Sequence, residues 1–586
     1  MTSVNPFSWD TMDGKPEPDD DLHDPEKVDD ANASRWTSRA ILNIGSVSIL
    51  SLGLLMLFAG YPVLSHYFGR QYSNQGGFGL GGTNGSGQVS SVPNVRTTLI
   101  DPDTPSSART RFGTDGQTYN LVFSDEFNTD GRSFYPGDDP FWEAVDLHYW
   151  ATNNYEWYDP AAVTTVDGAL RITLSQHEEH NLNFRGGMVQ TWNKFCFTGG
   201  IVVVSVRLPG LAKVPGLWPA IWMMGNLGRA GYGATLEGTW PYSYETCDVG
   251  TMLNQTNWAM GTPNPDTLNL GDCAFNSKHF TQALSYLPGQ RLSACTCSGE
   301  DHPGPKLSDG SYRGRSAPEI DIFEAQVSEG EMKVSQSAQF APFNAYYKLV
   351  AEPDLIGLGT VMNTYTGEVT QQAVSAVTPT DQHATQYAVD PLTGRMTNGT
   401  FSEYAVEYEP GDDGYIWWEA SGKPAWKLGP ESLAADPLSK ISRRPIPSEP
   451  LYLIMNLGIS QNFGTPNWKG LKWPNMMDVD WIRVYQLPGQ NVGCDPSDYP
   501  TKDYINRHIV AYTNPNLTTW GNSPEVGGYG QNWPRNKLYS QGCSGPASTT
   551  PGDPLVAYQK AAYVPKAEVG TTNPSLCAVT QNTKNA

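Results

Sequence analysis

The segment Ala317-Pro-Glu-Ile-Asp-Ile-Phe-Glu-Ala-Gln326 alternates acidic and apolar residues. In a strand, residues two apart share a face. Glu319 and Asp321 therefore project together, while Ile320 and Ile322 face the other way. Glu324 breaks this parity, lying five residues after Glu319. A β-bulge adding one residue near Ile322–Phe323 restores it to the acidic face, and bulges occur beside active sites. Three carboxylates on one face repel one another and push one another's pKa upward. Glycoside hydrolysis uses such a set: one carboxylate attacks the anomeric carbon while another, held protonated, gives its proton to the leaving oxygen. In retaining chemistry the two carboxyl groups stand about 5–5.5 Å apart. A solvated strand face that happens to be acidic accounts for the local pattern equally well.

The rest of the chain must supply a frame that presents this strand. Among 586 residues, 59 are Gly, 45 Pro, 29 Tyr and 18 Trp, and only 17% are charged. Gly and Pro punctuate turns, and aromatics suit pleated strands, so the composition reads as all-β with many loops. Strand-like runs begin near residue 118 and include Tyr119–Phe123, Ala169–Leu174, Gly200–Leu208, Glu319–Phe323, Phe401–Tyr408, Tyr415–Glu419, Leu451–Leu457 and Val479–Gln486. They are short and bounded by turn residues. The compact body is expected over 118–486, followed at 487–586 by an irregular extension that carries three Cys. Abundant Trp and Tyr suit both a core and the stacking of pyranose rings.

Residues 40–64, AILNIGSVSILSLGLLMLFAGYPVL, contain no charge and are long enough to span a bilayer. Some forty mostly polar residues precede them, which speaks against a cleaved signal peptide. Arg35 and Arg39 lie before the run and Arg70 after it, so the positive-inside rule puts the N-terminus in the cytosol. All eight Cys follow residue 190, and the sequons at Asn84, Asn254, Asn398 and Asn516 also follow the run. Both point to a lumenal or extracellular C-terminal part with disulfides. The expected order is a disordered acidic tail (1–39), a signal-anchor helix (40–64), a flexible stalk (65–117), the β body and the extension. The compartment expected is the secretory pathway: endoplasmic reticulum, Golgi or plasma membrane. A formal G-x-G-x-x-G at Gly77, Gly79 and Gly82 has neither the strand nor the helix a dinucleotide site needs, and reads as linker. Cys295-Thr-Cys297 is too tight for zinc spacing and no Cys/His cluster accompanies it, so no metal and no cofactor is expected. A net charge of −22 excludes a phosphate-binding surface and hence a nucleic-acid partner.

The carboxylate motif resembles glycoside hydrolase family 16, whose members carry E-x-D-x-E or the bulged E-x-D-x-x-E; Glu319-Ile-Asp321-Ile-Phe-Glu324 matches the bulged form. Leu121-Val-Phe-Ser-Asp-Glu-Phe127, Asp167-Gly-Ala-Leu-Arg-Ile-Thr173, Gly216-Leu-Trp-Pro-Ala-Ile-Trp222 and Asp478-Val-Asp-Trp-Ile-Arg-Val-Tyr485 resemble, in order, the opening strand, an early strand, the aromatic cleft segment and the closing strand. Within that family the chain is similar to the fungal β-glucan synthesis-associated proteins. Segments such as Trp192-Asn-Lys-Phe-Cys-Phe-Thr-Gly-Gly200 and Leu287-Pro-Gly-Gln-Arg-Leu-Ser-Ala-Cys-Thr-Cys297 carry that likeness. The resemblance implies a concanavalin-like jelly-roll β-sandwich with an N-terminal transmembrane helix. It implies Glu319 as nucleophile, Glu324 as acid/base and Asp321 between them as the residue holding the nucleophile's geometry and charge. Trp218 and Trp222 fall in the cleft-lining segment, with one of the two expected in the core; Trp192, Trp240 and Tyr242 are further candidates for sugar stacking. The laminarinase-type His soon after the motif is missing, and the strand there reads Val334-Ser-Gln-Ser-Ala-Gln-Phe340.

Two functions follow. The first is a retaining β-glucan glycosidase or transglycosylase in the making of fungal wall β-1,6-glucan. The second is a non-catalytic glucan-binding or scaffold protein of wall assembly. Both imply a β-glucan ligand, one membrane span and cell-wall synthesis machinery as a partner.

Overall fold

A computed structural model describes residues 37–61, 63–64, 98–235, 237–253, 255, 285, 287–344, 348–368, 370–390, 392–436 and 439–553. The glycine-rich run at 76–87, the sequons at Asn84 and Asn254, Cys273, Cys577 and nearly all of the acidic tail lie outside the described residues. The chain falls into two units, residues 1–72 and 73–586.

In the first unit an α-helix, α1 (Ser38–Leu55), continues into a π-helical turn at Met56–Gly60. Ile41–Gly60 gives 20 residues long and apolar enough to cross a membrane, none of them buried within the protein. An uncharged, apolar surface all the way round is what lipid selects.

The second unit is a β-sandwich. Its main strands are β1 (Thr118–Asp125), β2 (Ala169–Leu174), β3 (Phe184–Gln190), β4 (Gly200–Arg207), β5 (Trp218–Gly225), β6 (Glu319–Ser328), β7 (Glu331–Phe340), β8 (Gln371–Pro379), β9 (Ser402–Glu409), β10 (Tyr415–Ala420), β11 (Lys423–Leu428), β12 (Leu451–Gly458) and β13 (Asn475–Gln486). One sheet runs β1-β13-β4-β9-β10-β11, with β2 also on β13; the other runs β8-β7-β6-β5-β12-β3. Alternating residues such as Val202, Val204 and Val206 of β4 meet Ile221 and Met223 of β5 and Leu453 and Met455 of β12 in one shared core. This is the jelly-roll β-sandwich expected from the sequence. The face of the second sheet turned away from that core carries Glu319, Asp321 and Glu324.

The stalk expected to run to residue 117 is shorter. Residues 98–117 are already attached to the body: the strand Thr110–Phe112 pairs with β1, and Thr104 Oγ1 donates to Glu126 Oε1 at 2.8 Å. Satisfying these backbone and side-chain groups against β1 outweighs the polar, turn-rich composition that suggested a linker.

β5 and β6 are adjacent in the sheet, yet the chain makes a long excursion over 226–318 between them. The described part of the extension, 487–553, packs against this excursion. It contributes two short helices, α2 (Lys502–Arg507) and α3 (Ile509–Thr513). The six described cysteines pair as Cys196–Cys494, Cys247–Cys295 and Cys297–Cys543. The first and third tie the extension to the body. Gly233 lies so close to it that a Cβ would sit 1.7 Å from the Leu517 carbonyl oxygen. Asn398 and Asn516 are exposed, as a glycosylated Asn must be.

Candidate active site

The bulge falls where the parity of the sequence requires it. Asp321 pairs with Ser337 of β7 and Glu324 with Ser335, so Ile322 and Phe323 together oppose Gln336. Both Ile322 and Phe323 are fully buried in the core. The face flips between them, and Glu324 joins Glu319 and Asp321. A bulge leaves ladder carbonyls without partners, and two core side chains supply them. Trp418 Nε1 donates to the Asp321 carbonyl at 2.8 Å, and Gln336 Nε2 to the Ile322 carbonyl at 3.0 Å. We expect Trp418→Phe to leave the Asp321 carbonyl buried and unpaired. That should cost about 1–3 kcal/mol and lower the thermal unfolding midpoint; an unchanged midpoint would show that the bulge holds without it.

The three carboxyl groups open onto a cleft of about 510 Å³. Trp240 Nε1 donates to Glu319 Oε2 at 2.5 Å and Trp218 Nε1 to Glu324 Oε1 at 2.8 Å. Asp321, only 2% exposed, accepts from Ser337 Oγ at 2.6 Å and Gln339 Nε2 at 3.0 Å. Each glutamate thus has its own indole donor, and the aspartate has two neutral donors from β7, the strand that lacks the laminarinase-type His.

All three groups have raised pKa values. Burial, then the neighbouring Asp321, holds Glu319 well above the usual carboxylate range, with the Trp240 indole opposing. Burial raises Asp321, while Ser337 and Gln339 pull it down. Burial and then Asp321 push Glu324 up to about 8, against the hydrogen bond from Trp218. Near neutral pH the site therefore holds protons, and Glu324 is a carboxylic acid able to donate one.

Of the sequence-predicted aromatics, Trp218, Trp222 and Trp240 line the cleft. Residues 218, 220 and 222 share one face of β5, since Ile221 and Met223 point into the core. Both tryptophans of the cleft segment therefore face the site. Trp222 is sunk into its floor at 8% exposure, with Nε1 donating to Asn456 Oδ1 at 2.7 Å. Trp218 is half-buried and stacks on Phe463 at 4.4 Å, the rings within 2° of parallel.

Trp192 and Tyr242 lie elsewhere and cannot stack on a sugar in the cleft. Trp192 is covered by the extension, parallel to Tyr512 at 5.9 Å and beneath the Arg229 guanidinium at 4.3 Å. Tyr242 is fully buried with Tyr244, Val249 and Phe343, and its hydroxyl accepts from Gln255 Nε2 at 2.8 Å. Both belong to the packing of segments outside the sandwich.

Several site residues carried no signal strong enough to name them. Tyr149, Tyr365 and Phe463 reach the cleft from loops. Ser335, Ser337 and Gln339, polar at period two beside Val334, Ala338 and Phe340, could have been found by their spacing. At the cleft wall Tyr158 accepts from Asn154 Nδ2 at 3.1 Å and Asn456 Nδ2 at 3.2 Å. Behind it Glu156, 1% exposed, is pushed up to about 7 by burial. Gly458 has to be glycine here, because a Cβ would meet Glu156 Oε1 at 2.5 Å and Asn154 Nδ2 at 2.9 Å. Among the described residues no group of His, Cys, Asp and Glu is arranged to hold a metal ion.

The second unit is thus a β-sandwich with a paired-carboxylate, tryptophan-lined cleft. Residues 9–543 match the family model "Beta-glucan synthesis-associated protein SKN1/KRE6/Sbg1". The chain is 40% identical over 561 residues to Beta-glucan synthesis-associated protein SKN1 of Saccharomyces cerevisiae, covering 91% of this chain and 66% of that one. It is 40% identical over 548 residues to KRE6 of the same yeast, covering 91% and 69%. The chain thus spans about two thirds of the length of these relatives. Among solved structures it is similar to the endo-β-1,3-glucanase of Pyrococcus furiosus, at 16% identity and a TM-score of 0.35 over 64% of this chain and 98% of that one. The chain belongs to the SKN1/KRE6/Sbg1 family of β-glucan synthesis-associated proteins. Its apolar helix and the three disulfides among the described residues fit a membrane-anchored protein of the secretory pathway.

Proposed function

We propose that this protein is a retaining β-glucan glycosidase or transglycosylase, with its catalytic body on the lumenal or extracellular side of a single span. The observation that carries this reading is the placing of Glu319 and Glu324 on one face of β6, each with its own indole donor and with Asp321 between them. Glu324 is held protonated with its pKa near 8, and Glu319 is held by the Trp240 indole. In the first step Glu319 passes the proton of its hydrogen bond with Asp321 to that residue and attacks the anomeric carbon; Asp321 returns the proton when Glu319 is freed in the second. The bond to the leaving oxygen breaks, and Glu324 gives that oxygen its proton. Asp321 is the carboxyl beside Glu319, and its donors Ser337 and Gln339 fix its orientation. In the second step Glu324, now ionised, takes a proton from water or from a sugar hydroxyl, which attacks the glycosyl-enzyme and frees Glu319. The Trp218–Phe463 stack beside Glu324 offers an outer aromatic face on which an acceptor sugar would favour transfer over hydrolysis. Transfer is the reaction that would serve β-1,6-glucan assembly alongside the wall-synthesis machinery.

The pH profile follows from Glu324. Its folded pKa is raised, so it is competent below about 8 and loses its proton above that value. We expect kcat/KM on β-gluco-oligosaccharides to fall about tenfold per pH unit above this limb. Turnover that stays flat well above it would remove Glu324 from the acid role. If the chain binds β-glucan without turning it over at any pH, it is a binding protein and not a glycosidase.

A further inference from the structure

The donor on Glu319 does not come from the sandwich. Trp240 sits in the 226–318 excursion, and its position is set by the three residues before it. One residue holds all three, by its backbone and its side chain. The Arg291 backbone N donates to the Gly238 carbonyl at 2.8 Å. Its Nε donates to the Glu237 carbonyl at 3.0 Å and its Nη2 to Thr239 Oγ1 at 2.7 Å. Arg291 is only 2% exposed. It is itself held by the extension: its guanidinium lies 3.6 Å over the ring of Trp520, and its Nη1 donates to the Tyr504 hydroxyl of α2. An unbroken series of contacts therefore runs from Trp520 through Arg291 and residues 237–239 to Trp240 and Glu319. A buried guanidinium needs every donor matched and its face covered, so the extension is what allows Arg291 to occupy this place.

We propose that the C-terminal extension acts on the active site, with Arg291 and Trp520 as positioning residues that hold the Trp240 indole on Glu319. This deepens the glycosidase reading and rests on Glu319 being the nucleophile. The extension touches none of the reacting atoms. Its effect is on the charge state of one carboxyl. An indole N–H stabilises the ionised carboxylate, so loss of its alignment raises the pKa of Glu319. The other titratable groups facing Glu319 are Asp321 and Glu324 of its own strand, Tyr149 and Tyr365 from the loops, and Tyr452 of β12. The ring partners of Trp520 are Tyr504, His508 and Tyr529, not these groups.

The test is the titration of Glu319 itself in the full chain in detergent. It is read as labelling of its protonated carboxyl by a water-soluble carbodiimide across pH, with peptide mass spectrometry. Trp240→Phe, which removes the donor, should move the labelling midpoint up by about one pH unit, a tenfold change in the ionisation equilibrium. Trp520→Leu should move it in the same direction by a comparable amount, and Trp520→Phe, which keeps a ring under Arg291, should leave it near the wild-type value. A midpoint that moves in Trp240→Phe and stays put in Trp520→Leu would overturn the proposal, as would one that moves in neither. The readout needs no turnover. An inert wild type would therefore count against the glycosidase reading and leave the midpoint comparison intact.

Discussion

Glu319→Gln and Glu324→Gln are each expected to lower product formation from β-gluco-oligosaccharides by at least about a thousandfold, and they should fail differently. Glu319→Gln removes the proposed nucleophile, so no leaving group should rescue it. Glu324→Gln removes the acid, and a substrate whose leaving group needs no protonation, such as an aryl glucoside with an acidic phenol, should recover the first step. Stability moves the other way. Because the Glu324 carboxyl is raised to about 8, the wild type is fully stabilised by the neutral form below the ordinary carboxylate value and loses that contribution as pH rises through about 8. Glu324→Gln should therefore unfold at a higher temperature than wild type in alkaline buffer. The check is product analysis by mass spectrometry beside thermal unfolding of the same preparations. Equal and full activity in both variants would remove the pair from catalysis.

Glu449→Ala is expected to be the most damaging single change away from the carboxylates. Arg315 is fully buried, and its guanidinium makes two parallel bonds to Glu449, from Nε and Nη2, both at 2.8 Å. The Ser316 N–H adds a third bond to the same carboxylate at 3.0 Å. Arg315 also reaches the Gly304 carbonyl in the excursion at 2.9 Å and the Pro500 carbonyl in the extension at 2.6 Å. It thus joins the start of β6, the approach to β12, the excursion and the extension. Removing the carboxylate leaves a cation without compensation in the interior, at a cost of about 3–5 kcal/mol. Joint replacement by apolar residues, Arg315→Met with Glu449→Leu, should recover much of it, because the desolvation cost disappears along with the attraction. The apparent unfolding midpoint of the full chain measures both. A Glu449→Ala protein as stable as wild type would mean that water reaches Arg315.

The frame and the centre of the site were legible in the sequence because both depend on period-two patterns within single strands. The break in parity after Asp321 was enough to place a bulge at Ile322–Phe323. The same rule applied to β5 puts Trp218 and Trp222 on one face, where burial divides them: Trp222 packs into an apolar cluster at the cleft floor and Trp218 stays half-buried. What could not be read depends on contacts between distant segments. Trp192 and Tyr242 look like exposed sugar platforms until the extension and the excursion cover them. Trp240 looked no different from them, yet it is the one that reaches Glu319, because Arg291 and Trp520 set its place. No local pattern encodes a contact between residues 291 and 520. Residues 98–117 read as stalk for a related reason: Thr104 and Asp101 are polar turn residues by composition, and their partners, Ser124 and Glu126, lie at the end of β1.

The central claim is that Glu319 becomes covalently bound to sugar. A mechanism-based β-glucosyl fluoride carrying fluorine at the 2-position slows the second step more than the first, so a retaining enzyme accumulates the glycosyl-enzyme. Incubated with the full chain, it should add the mass of one fluorosugar, placed on Glu319 by peptide sequencing, and Glu319→Gln should add none. A label on Glu324, a label that persists in Glu319→Gln, or no label from a series of such donors under conditions where product forms would contradict the assignment.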